Sequence, residues 1–461
     1  MKRWWLLIYL FGVMMTVQGQ EKADKLAWWT ESRFGLFVHW GLYSQAAGDW
    51  KGKPTRGGEH FMLYEQIPLA EYAKIAATFN PTGFSAEEWV MAAKDAGMKY
   101  IVITTKHHDG FAMFDSPSSD YNIVKKTPWG RDPLKELAEA CRKHGLKLGF
   151  YYSLGRDWED PDVPTNWPTK AGRSNYWDYP DEDSKDLNKY IARKVKPQLR
   201  ELLTQYGEVD VIWFDTPELF SKEQSADIRE FILDIQPNCI INNRVGNNLG
   251  DYTVVEQSLA GSAKGDWESC ITMSKNWGYN RHDKAWKSST VLIRNIIETA
   301  SQGGNLLLNV GPKGDGRFPK ESIERLAAIG RWMKVNGEAI YGTTAWMVPG
   351  EGNLELEKED LGMGEKMTSK DAENDATSKE IISDIRFTTK DDEVYIFLRN
   401  PDADVIPVKS MKENSMKIEK ISMLGNDETV VWEQHSDALK FHIPAGIQSD
   451  VPVYVFKVKT R

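Results

Sequence analysis

The stretch VDVIWFD, residues 209–215, reads as a buried strand that ends on a carboxylate, Asp215. Ionisable and hydroxyl-bearing residues recur at the ends of other apolar runs: His39 in FGLFVHWG, His107 and His108 in YIVITTKHHDG, Tyr151 and Tyr152 in KLGFYYSLG, and Arg244 in CIINNR. A carboxylate, imidazoles, phenols and a guanidinium gathered on one rim could exchange protons, stabilise developing charge and hydrogen-bond a ligand rich in hydroxyls. Each residue alone has a plainer reading, Asp215 for instance as a helix cap or the partner of an arginine. Together they place polarity that the stability of a barrel does not require. Metal ligation competes with this chemistry. In a continuing strand, however, the adjacent His107 and His108 point to opposite faces, and no His-x-His or Glu-x-x-His spacing accompanies them, so the preferred chemistry is metal-free.

Such a rim needs parallel strands to build it. The runs at 34–41, 100–110, 147–155, 209–215, 239–244 and 305–311 are nearly continuous in apolar residues, as strands covered on both faces are. Between them SAEEWVMAAKDAGM, DPLKELAEACRKHG and KYIARKVKPQLRELLTQYG carry helical apolar spacing, and each stops close to a glycine. This alternation over roughly 300 residues predicts an α/β fold, a (β/α)8-type barrel, whose strand C-termini surround the active site. No glycine-rich fingerprint follows the first strand, which counts against a dinucleotide fold. Strand alternation puts Val211, Trp213 and Asp215 on one face. After about Tyr341 the texture changes. Residues 350–380 are charged and poor in large apolar clusters, and beyond them DIRFTTKDDEVYIFLRN, MKIEKISMLG and VPVYVFKVKT alternate apolar and polar, the pattern of a smaller antiparallel β-domain. The expected division is residues 1–19, 20–345 and 346–461.

The 461 residues suit two domains, and the net charge of −9 argues against a general nucleic-acid binder. The 18 Trp and 17 Tyr are core material first, but flat rings also stack on sugars. At the N-terminus Lys2-Arg3, an apolar run from Trp4 to Val17 and small or polar residues follow the plan of a secretory signal, with cleavage near Gly19. The run is short of the ~20 residues a bilayer span needs. The expectation is export to the periplasm or the extracellular space, with no membrane span after cleavage. Cys141, Cys239 and Cys270 form neither a disulfide framework nor a zinc pattern and read as buried free thiols.

The motifs ESRFGLFVHWGLYS, TTKHHDGF, GFYYSLGRDW, IWFD, DWESCITMSKNWGYN and SQGGNLLLNVGPKGDG, in this order, resemble the alpha-L-fucosidases of glycoside hydrolase family 29 over about residues 25–345. The resemblance implies a barrel followed by a smaller β-sandwich. It also implies hydrolysis of alpha-linked L-fucose from oligosaccharides or glycoconjugates with net retention, and no cofactor, since two carboxylates and water complete that cycle. It implies Asp215 as nucleophile, followed here by Thr216-Pro217 where the family often has Gly. For the acid/base it offers Glu256, on an irregular Gly-flanked segment in GDYTVVEQSLAG, with Glu268 in GDWESC as the alternative; the plainer reading of Glu268 is an ion pair with an arginine such as Arg244. His39, His107 and His108 resemble the family's hydroxyl-binding histidines, and Glu59 is implied as a hydroxyl acceptor. His60 stands where the family often has Trp. Tyr151 is expected to face the nucleophile, Trp213 and Trp277 to wall the pocket against the sugar ring and its methyl group, and Arg244 to lie beside the acid. Two other functions stay open at this level: a non-catalytic fucose-binding protein on the same scaffold, and a glycosidase for a related sugar such as a galactoside.

Overall fold

A computed structural model describes residues 24–164, 175–217, 219–259, 265–351, 384–399, 404–444 and 451–461. The leader at 1–19, part of the 155–185 rim segment and most of the charged join at 350–380 lie outside these residues. Eight parallel strands follow one another in chain order: β1 (Phe34–Val38), β2 (Tyr100–Lys106), β3 (Lys147–Ser153), β4 (Val211–Asp215), β5 (Ile240–Ile241), β6 (Thr253–Glu256), β7 (Trp267–Thr272) and β8 (Asn305–Val310). β1 pairs with both β2 and β8. The ring is completed between β5 and β6 by a parallel bridge from Asn242 to Tyr252, flanked by Asp251 N–H donating to the Ile241 carbonyl at 2.6 Å and Asn243 N–H to the Tyr252 carbonyl at 2.8 Å. This is the (β/α)8-type barrel that the alternation predicts.

The helices form where their caps and apolar stripes agree. In α1 (Ala86–Asp95) the Ser85 hydroxyl accepts from the Glu88 N–H. In α2 (Pro133–His144) Asp132 caps the first turn, Pro133 sits where its missing N–H costs nothing, and Gly145 closes the helix at φ 74°. The third predicted helix is broken: Leu187–Tyr190 passes through a π-turn at Ile191–Val195 into α3 (Lys196–Gln205), which begins just ahead of Pro197. α4 (Lys222–Ile235) starts on a capping box of Ser221 and Gln224, and α5 (Ser289–Ser301) and α6 (Lys320–Asn336) flank β8. Between β5 and β6 the described residues hold only the single turn Asn243–Val245, so the wall is thinner on that side.

Side-chain alternation separates two apolar layers. Phe34, Leu36 and Val38 face the helices, whereas Phe37, Val102, Tyr151, Val211, Trp213 and Leu307 pack inside the barrel. Gly35 is required by this interior: a Cβ there would lie 2.5 Å from the ring of Tyr100, which crosses the barrel floor. Each large side chain so buried contributes roughly 1.5–3 kcal/mol, and the resulting rigidity holds the strand ends in place. Cys141, Cys239 and Cys270 are buried free thiols.

The C-terminal residues form two antiparallel sheets. One has five strands, in spatial order β9 (Thr344–Glu351), β10 (Asp384–Lys390), β11 (Glu393–Arg399), β13 (Val453–Thr460) and β12 (Ile418–Met423), and the other comprises Val405–Val408, Leu439–His442 and Trp432–Gln434. They share a core in which Phe441 of the small sheet meets Phe456 of the large one at 4.6 Å between ring centres. A buried ion pair from Arg386 of β10 to Glu298 of α5, 2.6 Å, ties this sandwich to the barrel.

Candidate active site

At the C-terminal ends of the strands, Asp215 closes β4 with 17 % of its side chain exposed. Its Oδ1 accepts from Arg244 Nη1 at 2.7 Å and from the Thr216 N–H at 2.9 Å; its Oδ2 accepts from the Tyr151 hydroxyl at 2.9 Å and lies 3.6 Å from His108 Nε2. Burial pushes this carboxyl upward, but Arg244 and Arg156 beside it, with the Tyr151 hydroxyl, outweigh burial and hold it below the usual aspartate value. Asp215 is therefore an anion at neutral pH.

Thr216 adopts φ 56°, the left-handed region a β-branched residue rarely enters. The conformation turns its N–H back onto Asp215, and its carbonyl accepts from Gly155 N–H at 2.9 Å. The glycine often found at this point in the family would adopt the turn without strain. Here the surroundings impose it on a threonine whose hydroxyl is buried and has no partner among the described residues.

Glu256 is the last residue of β6, so the irregular segment expected around it is a short strand; its neighbours Thr253, Val254 and Val255 are only half-buried, which hides the strand pattern. The Glu256 side chain is 42 % exposed and its Oε2 accepts from Arg244 Nη2 at 2.6 Å. One guanidinium thus grips both carboxylates. Burial opposes the charge of Arg244, but Asp215 and Glu256 reverse that effect and keep it protonated. Its planar head also lies 5.1 Å from the ring centre of Trp213.

Glu268, the alternative acid, is the second residue of β7 and is fully buried in the barrel interior. Among the described residues it makes no ion pair with an arginine. Tyr100 donates to its Oε2 at 2.6 Å and Trp213 Nε1 donates to its Oε1 at 2.9 Å. Burial, only partly offset by these hydrogen bonds, raises its carboxyl to about 7. Glu268 thereby anchors Trp213, on whose ring Tyr151 stacks at 5.5 Å and 21°. The arrangement assigns it to the support beneath the rim.

The histidines are set by neighbours that strand-end reading overlooks. His39 Nδ1 lies 2.7 Å from Asn309 Oδ1, and because that amide donates its Nδ2 to the Trp277 carbonyl, the imidazole carries its proton on Nδ1. Burial lowers His39 to about 3, against the Asn309 hydrogen bond, so it is neutral. His108 Nδ1 is 2.6 Å from Ser153 Oγ, whose own proton goes to the Arg156 carbonyl, which places the His108 proton on Nδ1 as well. Burial also drives His107 and His108 well below the ordinary histidine value, helped by the other cations nearby. β2 ends at Lys106, before the two histidines, so strand alternation does not reach them, and their ring centres are only 4.2 Å apart. His60 follows Gly57 and Gly58, both at positive φ, on a tight turn that lays its ring 5.1 Å from His108 and nearly parallel to it. Glu59 is buried, with Oε2 accepting from the Gly278 N–H at 3.0 Å. Trp277 packs on His39 at 5.0 Å and on Phe37 at 6.0 Å. Tyr152 instead points outward, its hydroxyl donating to Gln198. Asn309, Ser153 and Arg156 all lie inside the quoted motifs; a polar residue within three positions of a strand end is the signal that could have found them.

The site is a rigid cup of neutral imidazoles and aromatic faces around two carboxylates, the constellation of a glycoside hydrolase that works on a barrel rim. The sequence profile described as Alpha-L-fucosidase matches residues 14–338, and that of the Alpha-L-fucosidase C-terminal domain matches residues 374–459. The chain belongs to the alpha-L-fucosidase family. It is similar to the tissue alpha-L-fucosidases of Rattus norvegicus, 30 % identical over 94 % of this chain and 92 % of the relative, and of Homo sapiens, 30 % identical over 92 % and 86 %. Among solved structures, alpha-L-fucosidase isoenzyme 1 from Paenibacillus thiaminolyticus superposes with a TM-score of 0.80 at 31 % identity, covering 95 % of this chain and 99 % of that one. The alpha-L-fucosidase AlfC from Lactobacillus casei, solved in complex with alpha-L-fucose product, gives 0.65 at 38 % identity over 68 % and 99 %.

Proposed function

We propose that the chain is a retaining exo-alpha-L-fucosidase in which Asp215 is the nucleophile and Glu256 the acid/base. The observation that carries this reading is the Arg244 bridge to both carboxylates, at 2.7 and 2.6 Å. Adjacent nitrogens of one guanidinium favour the close pair of a retaining enzyme, ~5–5.5 Å, over the ~6.5–9.5 Å that an inverting enzyme leaves for water. Asp215, ionised and fixed by three donors, attacks the anomeric carbon. Glu256, more exposed and nearer the pocket mouth, protonates the departing oxygen and then draws the proton from water. His39 and His108 turn Nε2 lone pairs toward sugar hydroxyls, and Glu59 keeps one oxygen for the same purpose. Trp277, only partly buried, offers its flat face to the ring and its methyl group, where the extra hydroxyl of a galactose-like sugar would need a partner. Trp213 and Tyr151, expected as wall and nucleophile neighbour, are buried against each other and act from beneath the rim. Complexes of the Lactobacillus casei relative with Fuca(1,6)GlcNAc and 4-nitrophenyl-a-L-fucopyranoside support a fucosylated substrate here.

Release of 4-nitrophenol from the alpha-L-fucoside but not from the beta-D-galactoside, with the alpha anomer of fucose appearing first by NMR, tests the reading. Fucose binding without release, or the beta anomer first, overturns it. The cycle requires no metal or organic cofactor, so turnover is expected to survive prolonged EDTA. Export with cleavage near Gly19 belongs to the same proposal, and mass spectrometry of protein from the native host should find neither Met1 nor the leader. No helix among the described residues is long and apolar enough to cross a membrane.

A further inference from the structure

His60, His107 and His108 each offer one nitrogen, and these three atoms lie within 4.8 Å of one another. The sequence argument against such a cluster, that adjacent histidines diverge, fails because β2 stops at Lys106. We propose that His60, His107 and His108 bind a single imidazole-seeking transition-metal ion, Zn2+, Cu2+ or Ni2+, inside the sugar pocket, so that metal and sugar exclude each other.

Two features support the site. His107 is buried, and its Nδ1 has no hydrogen-bond partner among the described residues, so a polar atom there lacks the satisfaction buried nitrogens normally have. The His108 proton is committed to Ser153, which leaves its Nε2 lone pair available to a ligand, 3.6 Å from Asp215 Oδ2. Zinc–nitrogen bonds of ~2.0–2.1 Å in a tetrahedron bring ligand atoms to roughly 3.3 Å. His60 is the more exposed ligand, with 29 % of its side chain accessible. A set of three imidazole nitrogens suits these ions and not the oxygen-seeking Mg2+ and Ca2+.

The ligand set comes from this chain's own His60; the mutual exclusion also rests on the proposed sugar pocket, and the test separates the two. Calorimetric titration of the full chain with zinc sulfate, without sugar, should give one ion per chain and no heat of binding for Mg2+ or Ca2+. His60→Trp and His60→Ala should each weaken zinc binding at least about tenfold, the least that loss of even an outer-shell partner costs. His282→Ala, which removes an exposed histidine beside Asp49, should leave it unchanged. Cobalt substituted for zinc should give the visible absorption of an imidazole-ligated ion, lost in the same His60 variants. Unaltered zinc affinity in both His60 variants, with folding verified by circular dichroism, overturns the site. In the active enzyme, zinc should raise KM for the 4-nitrophenyl fucoside without changing kcat, and L-fucose should weaken zinc binding. Zinc bound through His60 but indifferent to fucose would overturn the mutual exclusion while leaving the ligand set standing.

Discussion

Asp215 and Glu268 are carboxylates of one barrel, at opposite ends of their strands, and they carry opposite charge preferences. Asp215, at the rim, accepts from a guanidinium, a phenol and a backbone N–H and is held ionised. Glu268, in the interior, accepts from one phenol and one indole, and burial raises it to about 7. Both are deeply enclosed, so burial alone does not set their state. The cation does: where Arg244 is in contact the charge stays, and where only neutral donors reach, the proton returns. The two are nevertheless one construction, since Glu268 holds Trp213, Trp213 carries Tyr151 and Arg244, and these hold Asp215.

The comparison breaks most visibly at Asp215. Asp215→Ala should lower kcat on every fucoside by more than the ~10²–10⁴-fold a general acid is worth, because the proposed nucleophile itself is removed, while the fold, by circular dichroism, is retained. Glu256→Ala should cost about 10²–10⁴-fold on fucosides with poor leaving groups and far less on activated aryl fucosides in the first step, a difference that pre-steady-state release of the aryl alcohol would measure.

Glu268 sharpens the contrast through stability. Its folded value of about 7 lies above the ordinary glutamate value of 4.5, so the folded chain holds a proton that the unfolded chain has released across that interval. Its contribution is present below about pH 4.5 and is lost as pH rises through about 7. Relative to Glu268→Gln, wild type should therefore lose up to ~3 kcal/mol between pH 4.5 and 8, read as the difference of the two denaturant midpoints at each pH; a constant difference would remove the proton from Glu268. The smallest effect belongs to Thr216→Gly, which keeps the N–H to Asp215 and relieves φ 56°. It should stabilise the chain by about 1 kcal/mol, and a loss of stability would mean the threonine is not strained.

Strand ends made the rim legible in the sequence, because apolar runs that stop on His39, Asp215 or Arg244 expose their own boundaries. β6 was hidden because three half-buried residues and an exposed one, on the thin side of the barrel, carry no clean period. The Glu268–Trp213 bond joins residues 55 apart along the chain, and no local spacing reveals it. His60 reaches the histidine pair through two glycines at positive φ, a turn that hydropathy does not register.

The assignment of the acid is tested most directly by azide. In Glu256→Ala, azide needs no general base to attack the accumulated fucosyl-enzyme, so added azide should restore turnover and yield the alpha-fucosyl azide. Glu268→Ala should show no such rescue. If Glu268→Ala is rescued with retained configuration while Glu256→Ala turns over like wild type, the acid is Glu268 and the division between rim and interior drawn here is wrong.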